Sequence, residues 1–168
     1  LTTSFAQYAG KPLVAMHIYP TDIILGDSLW QMEDARISYA MADTALLVNN
    51  FSLHSASQFI HATGIASTQP SDSIRVELQS IDLDYLLGAL TDVHNAISFG
   101  GTATGWATAY GIFRHPVFEA DLTMLNAIIN DAEVGDLYAK ATLDNRKHVI
   151  IEGECYENFE DSTIGRRK

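Results

Sequence analysis

Residues 99–122 read FGGTATGWATAYGIFRHPVFEADL, and their alternation decides the fold class. From Thr102 to Tyr110 one side carries Ala103, Gly105, Ala107 and Ala109, while the other carries Thr102, Thr104, Trp106, Thr108 and Tyr110. A period of two, with β-branched and aromatic residues on one side, marks a strand. Glycine and alanine on the opposite side leave room for something to lie close. A turn at His115-Pro116 is expected next, after which Val117, Glu119, Asp121 and Thr123 alternate with Phe118, Ala120, Leu122 and Met124. That second set is strongly apolar.

The same period extends outward in both directions. Residues 73–79 set Ile74, Val76 and Leu78 against Ser73, Arg75, Glu77 and Gln79, one side buried and the other wet. Residues 13–19 alternate until Pro20, which has no N–H for a ladder. Short strands are expected at 22–25, 28–32, 36–40, 44–48, 51–54 and 57–67, with Asn49-Asn50 as punctuation and Phe59 and Ile65 as anchors. Beyond 122 the strand continues toward 131, and further strands are expected at 134–143 and 147–156 around a turn at Asp144-Asn145. One segment departs from the pattern: Leu83, Leu86, Leu87 and Leu90 have helical spacing, with Asp82 or Asp84 as cap, predicting a short helix near residues 82–91. The expected fold is all-β, an elongated, folded-over sheet groove of repeated antiparallel strands. Residues 1–156 form a single β-rich segment of a larger protein, and 157–168 a poorly ordered tail.

Composition narrows the function. The 47% hydrophobic and 18% charged content of these 168 residues argues against disorder. A net charge of −11 repels phosphates, so no nucleic-acid partner is expected. No run approaches the ~18 to 20 apolar residues of a membrane-crossing helix, and Leu1 is not followed by a basic region and cleavage site. The chain is expected to be soluble as it stands. The single cysteine, Cys155, forms no internal disulfide and is expected simply to fill a strand position.

Several phrases suggest chemistry and have plainer readings. Ile23-Ile-Leu-Gly-Asp-Ser-Leu29 looks like the nucleophile block of GDSL-type esterases, with Ser28 as nucleophile. Such enzymes imply a late Asp-x-x-His pair, but Asp144 and His148 are one residue too far apart, and alternation rather than a helix follows Ser28. A turn is the ordinary explanation. Gly100-Gly101-Thr-Ala-Thr-Gly105 lacks the helix that a phosphate loop requires. The histidines at 17, 54, 61, 94, 115 and 148 are dispersed, and Asp131, Glu133 and Asp136 lack the order of a calcium loop, so neither metal nor other cofactor is expected. Asn50-Phe-Ser52 fits a glycosylation sequon, and Trp30 and Trp106 are expected in the core.

The run 98–105, SFGGTATG, with Pro116-Val-Phe-Glu-Ala-Asp-Leu122 and Gly135-Asp-Leu-Tyr-Ala-Lys-Ala141, resembles repeats of the TamB family, large AsmA-like envelope proteins. Val48-Asn-Asn-Phe-Ser-Leu53, Gln58-Phe-Ile-His-Ala-Thr-Gly64 and Pro70-Ser-Asp-Ser-Ile-Arg-Val-Glu-Leu78 are similar to preceding repeat elements, in Bacteroidetes-type versions. The similarity spans residues 13–156. It implies a non-enzymatic, periplasmic segment of a translocation and assembly module, anchored to the inner membrane outside this fragment. The implied partners are phospholipid acyl chains, neighbouring β-repeats and an outer-membrane barrel of TamA/BamA type, and the implied role is outer-membrane lipid transport and assembly.

Strands with one apolar face must hide it, either in a closed sandwich or as a trough that accepts a guest. The groove positions expected for the second case are Ile74, Val76, Leu78, Phe118, Leu122, Met124, Val149 and Ile151; a packed core is their alternative. Two other functions remain in view: an interaction module pairing through sheet edges, and a serine esterase built on Ser28.

Overall fold

The computed structural model describes residues 1–25, 27–84, 99–143 and 149–156, with backbone alone at Phe99, Val149 and Ile151. Twelve strands form one antiparallel sheet that is open, not closed into a barrel. They are β1 (Thr2–Tyr8), β2 (Lys11–Ile18), β3 (Thr21–Leu25), β4 (Ser28–Met32), β5 (Ala35–Ala40), β6 (Ala45–Ser55), β7 (Gln58–Ala66), β8 (Ser73–Asp82), β9 (Phe99–Tyr110), β10 (Val117–Ile129), β11 (Ala132–Leu143) and β12 (Val149–Tyr156). The chain is all-β, as its alternation dictates.

Registers reduce twelve strands to ten rows. Ile18 pairs with Ala35 and Thr21 with Met32, so one register runs from β2 into β3 and from β5 into β4. Opposite β6 the same continuity holds, Arg36 pairing with Asn49 and Met32 with Leu53. Pro20 and the facing Glu33-Asp34 merely interrupt two long strands. The sheet is therefore a meander in which neighbours in sequence are neighbours in space. At its N-terminal side lies β1, which sequence reasoning did not foresee; the two-residue Ala9-Gly10 turn, with positive φ at both residues, folds it onto β2.

Other turns follow the same chemistry. Asn130 and Asp131 both have positive φ and join β10 to β11. Gly111 (φ 53) opens the turn between β9 and β10, accepting hydrogen bonds from the Arg114 and His115 amides. Two adjacent loops are tied together there: the Phe113 amide donates to Ser67 O, and the Gly111 amide to Asp72 O.

Asn50, Ser80 and Asn126, each with positive φ, lie where the register shifts within β6, β8 and β10. These are β-bulges, which bend strands and free amides from the ladder. Side chains take up two of the freed amides: Ser80 N–H donates to Thr104 Oγ1 (2.9 Å) and Asn126 N–H to Asp136 Oδ1 (3.0 Å). The Asn50 bulge corrects one expectation. Asn49-Asn50 does not separate two strands; it kinks a single long one. Of the expected helix at 82–91, Leu83 and Asp84 begin a helical turn. The remainder, the Asp144-Asn145 turn and the 157–168 tail lie outside the described residues.

Candidate functional site: the uncharged face of the sheet

Residues paired across an antiparallel ladder point to the same side, so the registers sort every strand residue onto one of two faces. Ile74, Val76 and Leu78 pair with Ala109, Ala107 and Gly105, which pair in turn with Phe118, Ala120 and Leu122. Met124 joins them opposite Ala103. On β11 the same face carries Leu143, Ala141, Ala139 and Leu137, and positions 149 and 151 pair with the first two. All eight expected groove positions thus fall at register positions of one face.

The face extends well past them. Through β7 it takes in Ile60, Ala62 and Gly64, and through β6 Leu46, Val48, Phe51 and Leu53. Tyr39 and Ile37 continue it, then Val14 and Met16, then Phe5 on β1. None of these positions is Asp, Glu, Lys, Arg or His. Sequence reasoning saw the alternation of Val14, Met16 and Ile18, but only the registers reveal that they share a face with Leu122. The opposite face carries the charges: Arg36, Arg75, Glu77, Glu119, Asp121, Lys140, Glu152 and Glu154.

Burial separates the two cases left open above. Ile74, Val76, Leu78, Phe118, Leu122 and Met124 are half-buried, whereas a sandwich core would seal them. Among the described residues the cluster of buried large hydrophobics lies toward one end of the sheet, where Trp30, Leu53 and Ile81 pack with Ile23, Leu25, Met32, Ile60 and Leu78. The accessible surface is 11848 Å², where a compact 18.4 kDa monomer exposes about 8200 Å². The apolar face is uncovered over most of its extent.

Its relief is corrugated. β6, β8 and β10 present large side chains; between them β7 presents Ala62, Gly64 and Ala66 and β9 presents Ala103, Gly105, Ala107 and Ala109, and beyond β10 the strand β11 presents Ala139 and Ala141. Ridges on alternate strands stand roughly 9.6 Å apart, two strand spacings, and the floor from Ala103 to Ala109 is about 20 Å long. Gly64 and Gly105 permit the close strand approach this requires. Each has positive φ, and a β-carbon there would collide with Ser73 O or Asp121 O.

Three aromatic or aliphatic anchors are not where expected. Phe59, Ile65 and Trp106 lie on the charged face. Phe59 stacks on His61 (centroids 6.1 Å), and the Arg75 guanidinium covers the Trp106 ring at 4.3 Å. Arg75 Nε also donates to Glu77 Oε1 (2.8 Å), and this hydrogen bond holds the Glu77 carboxyl below its usual range. Ile65 is exposed. Alternation alone could not tell which side of each strand would meet water. Trp30, by contrast, is in the packed cluster, as expected.

The enzymatic phrases become strands. Ser28 begins β4, which runs straight on to Met32, so the strand-to-helix elbow of a GDSL nucleophile is absent. Gly100, Gly101 and Gly105 are strand residues of β9. A hollow of about 470 Å³ includes Asp22, Gln31, Met32, Glu33, Asp34 and His54 in its wall, but not Ser28. His17 Nε2 meets Asp34 Oδ1 at 2.6 Å, and His54 Nε2 meets Gln31 Oε1 at 3.0 Å. His94, Asp144 and His148 lie outside the described residues. Among the described residues no group of His, Cys, Asp or Glu is arranged to hold a metal ion, and no helix is long and apolar enough to cross a membrane. Cys155 is exposed on β12, its thiol against Val134 O. Asn50, of the sequon, is exposed at its bulge. No protein-family model, curated protein or solved structure matches the chain.

Proposed function

We propose that this chain is a non-enzymatic segment of a TamB-like bridge between the inner and outer membranes, whose uncharged sheet face shields phospholipid acyl chains in transit through the periplasm. One observation carries the reading: among the described residues, a face without a single Asp, Glu, Lys, Arg or His crosses strand after strand and is left uncovered. Uncovered apolar areas larger than a few hundred Å² mark binding surfaces. The likeness to TamB repeats supplies the setting, namely an inner-membrane anchor outside this segment, neighbouring β-repeats and a BamA-type barrel at the outer membrane.

The energetics suit the task. At about 0.8 kcal/mol per CH₂, a 16-carbon chain loses on the order of 10 kcal/mol on entering water. A trough as apolar as the bilayer removes most of that barrier without chemistry, and transfer along it is close to neutral and reversible. The furrow over β9 also fits in length, since one leaflet's share of a ~30 Å hydrocarbon core is about 15 Å.

A photo-crosslinking amino acid placed at Val76 or Leu122, exposed to a lipid extract, should yield lipid adducts. The same probe at Thr123 or Lys140, on the charged face, should not. Absence of adducts at 76 and 122, or equal labelling of both faces, overturns the reading. Val76→Arg and Leu122→Arg should abolish labelling at neighbouring positions while the sheet stays folded, because an open face lets the guanidinium reach water.

A further inference from the structure

We infer that the furrow over β9 is a blind slot, open at the β9–β10 turn and closed at Ile81, which takes an anionic phospholipid tail first and leaves its phosphate at Arg114. The inference rests on the lipid-shielding reading and adds to it a polarity and a headgroup contact. The furrow belongs to the interior of the sheet, with β9 as its floor and β8 and β10 as its walls.

Exposure along the floor is graded. Ala107 and Ala109 are half-buried, whereas Ala103, toward the other end, is 2% exposed. The walls change in step. On β8, Ile74, Val76 and Leu78 are half-buried and Ile81 is sealed at 0%; on β10, Phe118, Leu122 and Met124 are half-buried and Ala127 is sealed at 1%. Ile81 packs with Trp30 and Leu53, so side chains of β4 and β6 help to stop the slot. The bulges at Ser80 and Asn126 lie at this end, in the two wall strands, and bulges bend the strands that carry them. A phosphate pushed into the sealed end would lose its water without compensation, while a methyl terminus has none to lose.

Charge points the same way. Arg114 lies in the connection 111–116 from β9 to β10, at the open end, and is exposed. Among the described residues its guanidinium has no ion-pair partner, while Arg75 is engaged by Glu77 and Lys140 by Asp121. The turn that carries it is held in place: the Arg114 and His115 amides donate to Gly111 O, and the Phe113 amide to Ser67 O. Asp72, the acid of the neighbouring loop, accepts from Ser67 Oγ at 2.7 Å. At the closed end the rim carries Asp82, Asp131, Glu133 and Asp136, with no Lys or Arg among the described residues there. An anionic headgroup is repelled by that rim and attracted to Arg114, whose planar guanidinium suits two parallel hydrogen bonds to a phosphate.

Phosphatidylglycerol probes carrying a diazirine at different depths read the orientation directly, with adducts mapped by mass spectrometry. A diazirine at the chain terminus should label Ala103, Met124 and Ala127, and one beside the ester carbonyl should label Ala109 and Phe118. The reversed order, or the same positions labelled by both probes, overturns the polarity and leaves lipid shielding standing. No labelling of the uncharged face by either probe overturns both. For the headgroup contact, Arg114→Gln should lower retention of phosphatidylglycerol by about two- to fivefold, the worth of an exposed charge pair, and leave diacylglycerol of the same chains unchanged. Arg114→Lys should keep part of the phosphatidylglycerol retention, and circular dichroism should find both variants folded, since the side chain is exposed. An equal loss for the two lipids, or no loss for either, overturns the assignment of the phosphate to Arg114.

Discussion

Gly105 lies so close to Asp121 that a β-carbon on the glycine would overlap the Asp121 carbonyl oxygen, and its φ of +149° is one that side chains rarely adopt. Gly105→Ala should therefore destabilise the sheet by about 1–3 kcal/mol, read from urea denaturation. Gly64→Ala, blocked by Ser73 O at φ +132°, should behave alike. Gly10 (φ +73) meets no atom within 4 Å, so Gly10→Asn should cost far less. Equal losses at all three positions would mean that crowding between β9 and β10 is not what requires glycine.

Ala107, on the floor between the β8 and β10 ridges, tests whether the face is open. Ala107→Phe should leave stability within about 1 kcal/mol, because the ring enters unoccupied space, whereas overpacking a sealed core costs about 1–3 kcal/mol. The same variant should weaken lipid labelling at Val76 and Leu122 by filling the furrow.

Burial predicts a contrast between two leucines. Leu53, 6% exposed within the packed cluster, should lose about 2–4 kcal/mol on truncation to alanine, measured by denaturant titration. Half-buried Leu122 has little packing above it, and Leu122→Ala should cost under about 1.5 kcal/mol.

Titration offers a further check. The Tyr110 hydroxyl donates to Glu119 Oε1 at 2.7 Å, and this bond, with the carboxylate charge, raises the phenol above its ordinary value of 10.0. Tyr156 is raised in the same way by Glu154. A raised folded value means that the contribution to stability is complete below the unfolded phenol's pKa and is lost as pH climbs through the folded one. In absorbance titrations these two phenols should ionise above that ordinary value, and Tyr110→Phe should remove one late step. Glu77 has the opposite sign. Its hydrogen bond from Arg75 contributes above the unfolded carboxyl's pKa and fades as pH falls through the lowered one.

Much of this fold is legible in residues 73–79 and 102–124, where side-chain type changes strictly with every residue and the faces inferred are the faces found. Legibility fails where the period slips. At Asn50 an extra residue reverses the alternation, and a bulge reads like a boundary. At Tyr19-Pro20 and Glu33-Asp34 the parity changes in two facing strands at once, so two long strands read as four short ones. The strand β1 escaped notice because Ser, Thr, Ala and Gln are sparing in hydrophobic contrast, although Gly10 marked its turn. The candidate site was legible one strand at a time. Its continuity was not, since only pairing decides that Ile74, Gly105 and Leu122 share a side.

The one-after-another order of the rows has a kinetic corollary. Contacts that are local along the chain need little loop closure before they form, so each hairpin can add to the last without waiting for distant partners, and assembly should be rapid for an all-β chain of this size. Cooperativity then passes only between adjoining rows. Amide exchange should accordingly be graded, quickest in the first and final strands and slowest beside Leu53 and Ile81, so that the molecule unzips from its flanks inward.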